Sequence, residues 1–271
     1  LTPGDPVSDR VLAWPGDPSS NADSVPLRLA GGLHALVLTG QDPALSAAYA
    51  DPAADPTDEA LAAIARHPKV LLDWLNSPPQ TNEVRRSAVL IAAAHWLTAR
   101  FGLPLVLSEL GASAGLNLLW DHYALAVQGQ TYGPVDPALT LSPDWTGPLP
   151  PVARPTPLDR RGVDLNPLDP VSDRLRLLAY LWPDQPDRIA RTRAALDLAT
   201  RIRPKVDRAD ATDWLETRLA SPTKGALHLI FHTVAWQYFP PATQSRALAA
   251  VEAAGKANPL ARLSMEADGQ S

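Results

Sequence analysis

The hydrophobic pattern of the first hundred residues is helical. Apolar residues follow helical spacing in "LRLAGGLHALVL", "DPTDEALAAIAR" and "PKVLLDWL", and two prolines end the last of these runs. A longer run, "QTNEVRRSAVLIAAAHWLTARFG", has Thr81 or Asn82 to cap its start and Gly102 to end it. The residues before Leu27 are rich in Pro, Gly, Asp and Ser, which favour turns. The pattern therefore predicts an irregular arm and a helical region over residues 1–102.

From Leu103 onward, apolar runs of strand length alternate with helical runs. Strands are predicted at "LPLVLSEL" and "RRGVDL", and later near "KVDRAD", "ALHLIF" and "LARLSME". Helices are predicted between them, among them "TDWLETRLA" and "ATQSRALAAVEAAG". The segment "YALAVQGQTYG" alternates about Gly129 and predicts a β-hairpin, within an insertion at about residues 123–157. This alternation predicts an α/β domain over residues 103–271, with a parallel sheet and crossover helices.

One loop in this pattern is compatible with two chemistries. The segment "ELGASAGLN" runs from Glu109 to Asn117 and follows the first predicted strand. Gly111, Ser113 and Gly115 form G-x-S-x-G, the turn that presents a nucleophilic serine in α/β-hydrolases. Glu109 with the same two glycines also forms E-x-G-x-x-x-G, which would hold a nucleotide-like cofactor at a helix N-terminus.

The surrounding pattern favours the cofactor loop over the hydrolase turn. A hydrolase needs strands before its nucleophile to build the oxyanion hole, and the preceding hundred residues look helical. Ser113, Asp210 and His232 stand in the order of a hydrolase triad, but His232 closes a predicted strand instead of lying on a late loop. A serine hydrolase with Ser113 as nucleophile stays as the alternative.

Acidic residues also follow the next two predicted strands. Asp164 ends "RRGVD", where a carboxylate in a doubly wound sheet accepts hydrogen bonds from ribose hydroxyls. Asp210 ends "VDRAD" and precedes Ala211, so that an acid and a backbone amide would meet an adenine ring. Asp is also common in turns and helix caps, which is the alternative role for both acids.

Composition and charge narrow the function classes. The chain has 271 residues, a formal net charge of -5 and no cysteine. The net charge offers no basic field for nucleic acid, and the absence of cysteine removes disulfides and thiolate metal sites. Apolar windows are too short for a membrane span and no signal-peptide pattern is present, so we expect a cytoplasmic protein. His228 and His232 lack a nearby third ligand, and no metal is predicted.

Four motifs together resemble a known family. "QTNEVRRSAVL", "ELGASAGLNLLWDHY", "GVDLNPLD" and "FHTVAWQY" resemble an uncharacterised bacterial family, domain of unknown function 2332. "ELGASAG", "GVD" and "RADA" also resemble the S-adenosylmethionine site of class I methyltransferases. The resemblance implies a Rossmann-like fold with a mostly parallel sheet, a helical N-terminal region and a hairpin insertion. A methyltransferase-like scaffold without turnover is a further alternative, because these enzymes usually have glycine where Ser113 stands.

The resemblance implies a cofactor site and a site for a small-molecule substrate. S-adenosylmethionine would be bound by residues of the loop and of the later strand ends: Glu109, Gly111, Ala112, Ser113, Gly115, Asn117, Asp164, Asp210 and Ala211. Class I methyltransferases commonly place substrate-binding and catalytic groups after the fourth strand. The residues there are His232 and Tyr238, as predicted catalytic groups, with Trp236 and Gln237, as predicted substrate-binding groups.

Helix length adds candidates from an earlier segment. A helix from Asn82 to about Arg100 is about 28 Å long, and the strand that follows it is about 20 Å long. If the two pack antiparallel, the start of the helix lies near the loop at the end of the strand. Glu83 becomes a predicted catalytic base there, and the predicted substrate-binding residues are Gln80, Asn82 and Arg85. The alternative is that these residues cap a helix.

Overall fold

The computed structural model describes residues 1–20, 22–51 and 53–266, so residues 267–271 of the predicted second domain lie outside the described residues. The chain packs as two compact units, each built from two stretches of sequence. The helical unit consists of Leu1–Thr81 and Ser172–Arg193. The sheet unit consists of Asn82–Val171 and Ala194–Ser271.

The chain forms an α/β fold. In chain order the α-helices are α1 Pro6–Leu12, α2 Val25–Leu38, α3 Pro43–Ala50, α4 Thr57–Arg66, α5 Pro68–Leu75, α6 Ser87–Phe101, α7 Arg174–Ala179, α8 Pro186–Ile202, α9 Ala211–Leu219 and α10 Pro241–Gly255. The strands are β1 Leu105–Leu110, β2 Ala124–Val127, β3 Gln130–Tyr132, β4 Thr140–Leu141, β5 Pro157–Asp164, β6 Val206–Arg208, β7 Leu227–Thr233 and β8 Leu260–Met265. Short 3₁₀ helices lie at Val84–Arg86, Leu116–His122 and Trp236–Tyr238.

The helical unit confirms the three helices predicted before residue 76 and adds two that the sequence pattern did not specify, α1 and α3. Residues 6–12, predicted as part of an irregular arm, form α1. The Asp5 side chain accepts hydrogen bonds from the N–H groups of Val7 and Ser8, and Pro6 occupies the first helical position, where it loses no hydrogen bond. Val7 is fully buried. The prediction was wrong here because Asp and Pro, which favour turns, also begin helices.

One apolar cluster joins these helices. Its fully buried members include Leu36 of α2, Leu45 of α3, and Leu71 and Leu75 of α5. Burying each such side chain contributes about 1.5 to 3 kcal/mol of transfer free energy. The cluster gives the helical unit a core of its own.

The sheet unit is built on five parallel strands in the order β6-β5-β1-β7-β8. All five strands predicted from the sequence are present. Numbered by their sequence within this sheet, their spatial order is 3-2-1-4-5. The central strand, β1, is buried along its whole length, as its mostly apolar sequence predicts. Because β5 and β6 lie on one side of β1, and β7 and β8 lie on the other, the winding direction of the sheet changes between β1 and β7.

Helices α9 and α10 share a core with the sheet. Leu215 of α9 and Ala247 of α10 pack with Leu110, Val163 and Ile230 from three strands. Within the part of the chain that the structure describes, no helix is both long and apolar enough for a membrane crossing.

A second, three-stranded sheet confirms the predicted hairpin. Strands β2 and β3 pair antiparallel, and β4 pairs parallel to β2. Gln128 and Gly129 form the turn with φ of 48° and 79°, the left-handed conformation that a two-residue hairpin turn requires at both positions.

The helix before β1 starts later than predicted. The Glu83 side chain accepts the N–H of Arg85 at 3.0 Å and starts the 3₁₀ turn, and α6 follows from Ser87. Thr81 and Asn82, the predicted caps, do not cap it. Gly102 ends α6 at φ 63°, as predicted.

Candidate functional site

Three predicted site residues lie along one edge of the sheet. Glu109 in β1 pairs with Gly162, two residues before Asp164 at the end of β5. Asp164 pairs with Arg208, two residues before Asp210. Since the carboxyl ends of parallel strands meet at one edge, the three acids line the edge where doubly wound sheets bind ligands.

The loop after β1 turns sharply at this edge. Gly111, Ser113 and Gly115 all have left-handed backbone, with φ of 72°, 54° and 71°. For Ser113 this conformation costs about 1 kcal/mol or more. Ser113 is held by its N–H group, which donates to Oδ2 of Asp164 at 2.8 Å. This hydrogen bond joins the loop after β1 to the end of β5.

Close packing explains two of the glycines around the loop. A Cβ atom at Gly111 would lie 2.5 Å from the Cβ of Ala235. A Cβ atom at Gly162 of β5 would lie 2.5 Å from the Cβ of Ala112. Both distances are far below van der Waals contact, so any larger residue would push the loop away from β5 or from the segment after β7.

Glu109 is buried without full hydrogen bonding. It is 1% exposed, and within the described residues its Oε2 atom has no hydrogen-bond partner. Burial raises the pKa of Glu109 well above its ordinary value, with a smaller raising effect from Asp164 and an opposing one from the Arg86 guanidinium. The Ser113 Oγ is also buried and lacks a partner among these residues. Two buried oxygens at one loop favour a ligand that brings donors to them.

Asp164 and Asp210 are held differently. Asp164 accepts the Ser113 N–H with one oxygen and the Asn166 N–H with the other, at 2.8 Å in each case. A carboxylate accepts up to about four hydrogen bonds, so both oxygens keep acceptor capacity. Asp210 caps α9, because its Oδ1 accepts the N–H groups of Thr212 and Asp213. Its capping role is therefore present in the structure, and Ala211 beside it is buried.

The segment before α6 meets the loop, as the helix-length argument predicts. The Asn82 Oδ1 accepts the N–H of Leu116, next to Gly115, at 3.0 Å. Asn117 of the loop is fully buried and accepts a hydrogen bond from the Ser87 hydroxyl at 2.7 Å.

The other residues of this segment face different partners. Arg86 donates to the carbonyl of Thr233, the last residue of β7, at 2.7 Å. Glu83 is half-buried, and Arg85 is exposed. Gln80 belongs to the helical unit, whereas the other residues belong to the sheet unit.

His232 is enclosed by partners that sequence reasoning missed. It is fully buried, with Nδ1 2.6 Å from Glu266 Oε1 and Nε2 2.9 Å from an Arg262 nitrogen. Burial lowers the His232 pKa, and the hydrogen bond that the ring donates to Glu266 opposes that shift. Trp236 stacks on the imidazole at 4.8 Å, and the Arg262 guanidinium lies 4.5 Å from the centre of the Trp236 ring. Tyr238 is 73% exposed.

One sequence signal could have found Glu266. It directly follows β8, and Asp164 is the last residue of β5, so both acids lie at the carboxyl end of a strand. Arg262 gives no such signal, because its contact with His232 depends on the pairing of β7 with β8.

The three residues of the possible hydrolase triad are not hydrogen bonded to one another. Both ring nitrogens of His232 are occupied by Glu266 and Arg262. Asp210 caps a helix, and the Ser113 Oγ has no partner among the described residues.

Comparison with known proteins identifies a family and nothing closer. The profile of one family, described as "Uncharacterized protein conserved in bacteria (DUF2332)", matches residues 1–271. No curated protein and no solved structure matches the chain. The family resemblance of the four sequence motifs is thereby confirmed. Since the match extends over all the residues of the sequence, the chain belongs to the DUF2332 family of bacterial proteins.

Proposed function

We propose that the sheet unit binds S-adenosylmethionine at the carboxyl edge of its strands and transfers the methyl group to a small or medium-sized acceptor. The observation that supports this most is the hydrogen bond of 2.8 Å between the Ser113 N–H and Asp164. It joins a glycine-containing loop after the first strand to an acid at the end of the second, which is the arrangement that dinucleotide- and nucleoside-binding sheets use.

The strand order supports a Rossmann-like fold. The order 3-2-1-4-5 is the order of the first five strands in a classic doubly wound sheet. In such sheets, ligands bind outside the carboxyl ends of the strands, where the winding direction changes. Here that point lies between β1 and β7, which places Glu109 and the Gly111–Gly115 loop beside it.

The side chains at this edge match the polar groups of S-adenosylmethionine. The Glu109 carboxyl has a buried oxygen without a donor, which suits the ammonium group of the methionine part. Asp164 keeps acceptor capacity for ribose hydroxyls. When bound, the cofactor supplies an electrophilic methyl group on a sulfonium.

The chain's own residues would act mainly by positioning. An in-line methyl transfer requires orientation and exclusion of water, so few proton-transfer groups are needed. His232, Glu83 and Tyr238 stay predictions as catalytic groups. Both nitrogens of His232 are hydrogen bonded and its ring stacks on Trp236, so His232 would also hold Trp236 in place after β7.

Titration calorimetry with S-adenosylmethionine and S-adenosylhomocysteine tests the proposal. We expect both to bind, and Asp164→Asn to weaken binding by about 1.5 to 3 kcal/mol, or roughly tenfold to more than a hundredfold. Asp159→Asn is the matched control, because Asp159 lies near the opposite end of the same strand and pairs with Arg218. Absence of binding by the folded wild-type protein, or equal affinities of the two variants, would contradict the proposal.

A further inference from the structure

The helical unit contains a cavity of about 580 Å³. One wall is a face of α2, where lining residues recur at helical spacing: Leu27, Ala30, Gly31 and His34. The cavity is within the range of small-molecule sites, about 300 to 1,000 Å³. All its described lining residues belong to the helical unit, and none of them is a residue of the candidate site on the sheet unit.

Gly31 of α2 allows an aromatic wall of the cavity to pack against the helix. A Cβ atom at Gly31 would lie 2.5 Å from the ring of Tyr180, so the glycine allows that ring to rest against the helix backbone. Tyr180 is also fixed by an edge-to-face contact with Trp74, with ring centres 5.5 Å apart. The aromatic wall is therefore held in place by packing.

Aromatic rings and carboxylates dominate the rest of the lining. Tyr49, Tyr180 and Trp182 contribute rings, and Trp182 is 49% exposed. Asp51 and Asp184 contribute exposed carboxylates. None of the described lining residues is a lysine or arginine. The cavity thus combines π faces with two carboxylates at its exposed side.

His34 adds no positive charge to this lining. It is buried, and its Nδ1 lies 3.2 Å from the carbonyl oxygen of Ala179, which it can contact as a neutral donor. Burial lowers the pKa of His34, and the charge of Arg193 acts weakly in the same direction. The imidazole therefore stays neutral at neutral pH.

We propose that this cavity binds an organic ammonium ion with an aromatic or aliphatic body. The two carboxylates attract the ammonium group, and the rings of Tyr49, Tyr180 and Trp182 receive the body and face the cation. An anionic ligand would meet two carboxylates, and no lysine or arginine among the described lining residues. A neutral ligand would leave both carboxylates unused. The site is independent of the proposed methyl transfer and requires no cofactor.

Three probes with the same body and different charge test the ligand class. 3-Phenylpropylamine, 3-phenylpropanol and 3-phenylpropionate are titrated separately into the full chain by calorimetry. We expect saturable binding of the amine, weaker binding of the alcohol, and none of the acid, with the amine affinity falling as salt rises. Equal affinities for the amine and the alcohol, preference for the acid, or no binding of the amine in the millimolar range would each overturn the proposal.

Two pairs of variants locate the site. The double variant Asp51→Asn with Asp184→Asn should raise the Kd of the amine about tenfold, whereas Asp187→Asn, at the start of α8 and outside the lining, should leave it unchanged. Ala30→Leu should fill the cavity and abolish binding, and Ala44→Leu on the exposed side of α3 should not. Because the carboxylate variants alter no packing, they test the proposal even if Ala30→Leu does not fold. Amine binding that survives all these changes would place it elsewhere.

Discussion

At the scale of single residues, the loop after β1 contains groups that are costly for folding. Ser113 has a left-handed backbone, and its hydroxyl and the Glu109 Oε2 are buried without partners among the described residues. A buried oxygen without a donor costs about 1 to 3 kcal/mol. Groups that cost stability persist where a ligand or a reaction uses them, and these lie at the edge of the sheet where we propose that the cofactor binds.

At neutral pH, Glu109 should lower the stability of the folded protein and support the binding of S-adenosylmethionine. Its pKa is raised in the folded protein, so the folded state holds a proton that the unfolded state releases above its ordinary pKa of 4.5. The stability contributed by the neutral carboxyl is complete below that value and is lost as the pH rises through the folded-state pKa. Glu109→Gln should therefore raise the free energy of unfolding at neutral pH by about 1 kcal/mol or more, and weaken S-adenosylmethionine binding.

Urea unfolding at about pH 5 and about pH 8 checks the sign of this effect. The gain from Glu109→Gln should be larger at the higher pH. Glu252→Gln is the control, because Glu252 lies on the surface of α10 in an exposed ion pair with Lys256. A Glu109→Gln protein that is less stable than wild type at both pH values would show that the carboxylate has a partner the structure lacks.

Ser113 should act as a loop residue and not as a nucleophile. No base is hydrogen bonded to its hydroxyl among the described residues, and His232 is fully engaged by Glu266 and Arg262. Fluorophosphonate probes should leave Ser113 unlabelled, as measured by mass spectrometry of the intact chain. Ser113→Gly should keep or improve cofactor binding, since glycine adopts the φ of 54° without strain. Stoichiometric labelling at Ser113 would replace the methyltransferase proposal with the hydrolase alternative.

At the scale of elements, the start of α6 and the loop after β1 are coupled. The buried Asn82 side chain is the acceptor for the Leu116 N–H. Asn82→Ala should leave that donor unsatisfied and reduce the free energy of unfolding by about 1 to 3 kcal/mol. Because the loop would relax, cofactor affinity should fall as well. Denaturant unfolding and calorimetry of the same preparation measure both effects.

Thr81→Ala is the control for this coupling. Thr81 is the neighbouring residue and was the other predicted cap, but it does not cap α6. The substitution should change stability by less than about 0.5 kcal/mol. If both variants lose the same stability, the contribution of Asn82 is a general property of the segment and not of its bond to the loop.

The elements themselves follow closely from the sequence, because long apolar runs leave few alternatives. β1 and β7 are mostly apolar, and both are buried along their full length. The predicted start of α6 was wrong because Asn82 and Glu83 both suit a helix cap. The sequence does not show that the Asn82 side chain accepts the Leu116 N–H, which leaves Glu83 to start the 3₁₀ turn. α1 was missed because it is short and begins with residues that also favour turns.

The candidate site is predicted less completely than the elements. Sequence position shows that Asp164 and Asp210 lie at or after the ends of strands. It does not show which N–H groups their carboxylates accept hydrogen bonds from. In the structure, Asp210 is committed to capping α9, whereas Asp164 holds the loop. The surroundings of His232 come from β8, thirty residues later, and depend on a strand pairing that no local pattern encodes.

At the scale of the whole molecule, the helical unit depends on a distant part of the chain. Residues 172–193 belong to the helical unit although they follow the first segment of the sheet unit in the sequence. Tyr180 packs on Gly31 and Trp74, and Arg176 donates to the carbonyl of Pro78 at 2.8 Å. Such a return depends on tertiary packing, which a pattern along the sequence does not reveal.

The helical unit should therefore fold alone only when both its segments are present. Residues 1–81 joined to 172–193 by a Gly/Ser linker of about ten residues, with an r.m.s. span of roughly 17 Å, should show a cooperative thermal transition by circular dichroism. Residues 1–81 alone should not, because the face of α2 that packs against Tyr180 and the Ala179 carbonyl would be exposed. The linked protein should also bind 3-phenylpropylamine, since every residue lining the cavity is present in it. A cooperative transition of residues 1–81 alone at the same temperature would show that the returning segment adds nothing to the helical core, and that the helical unit ends at its first segment.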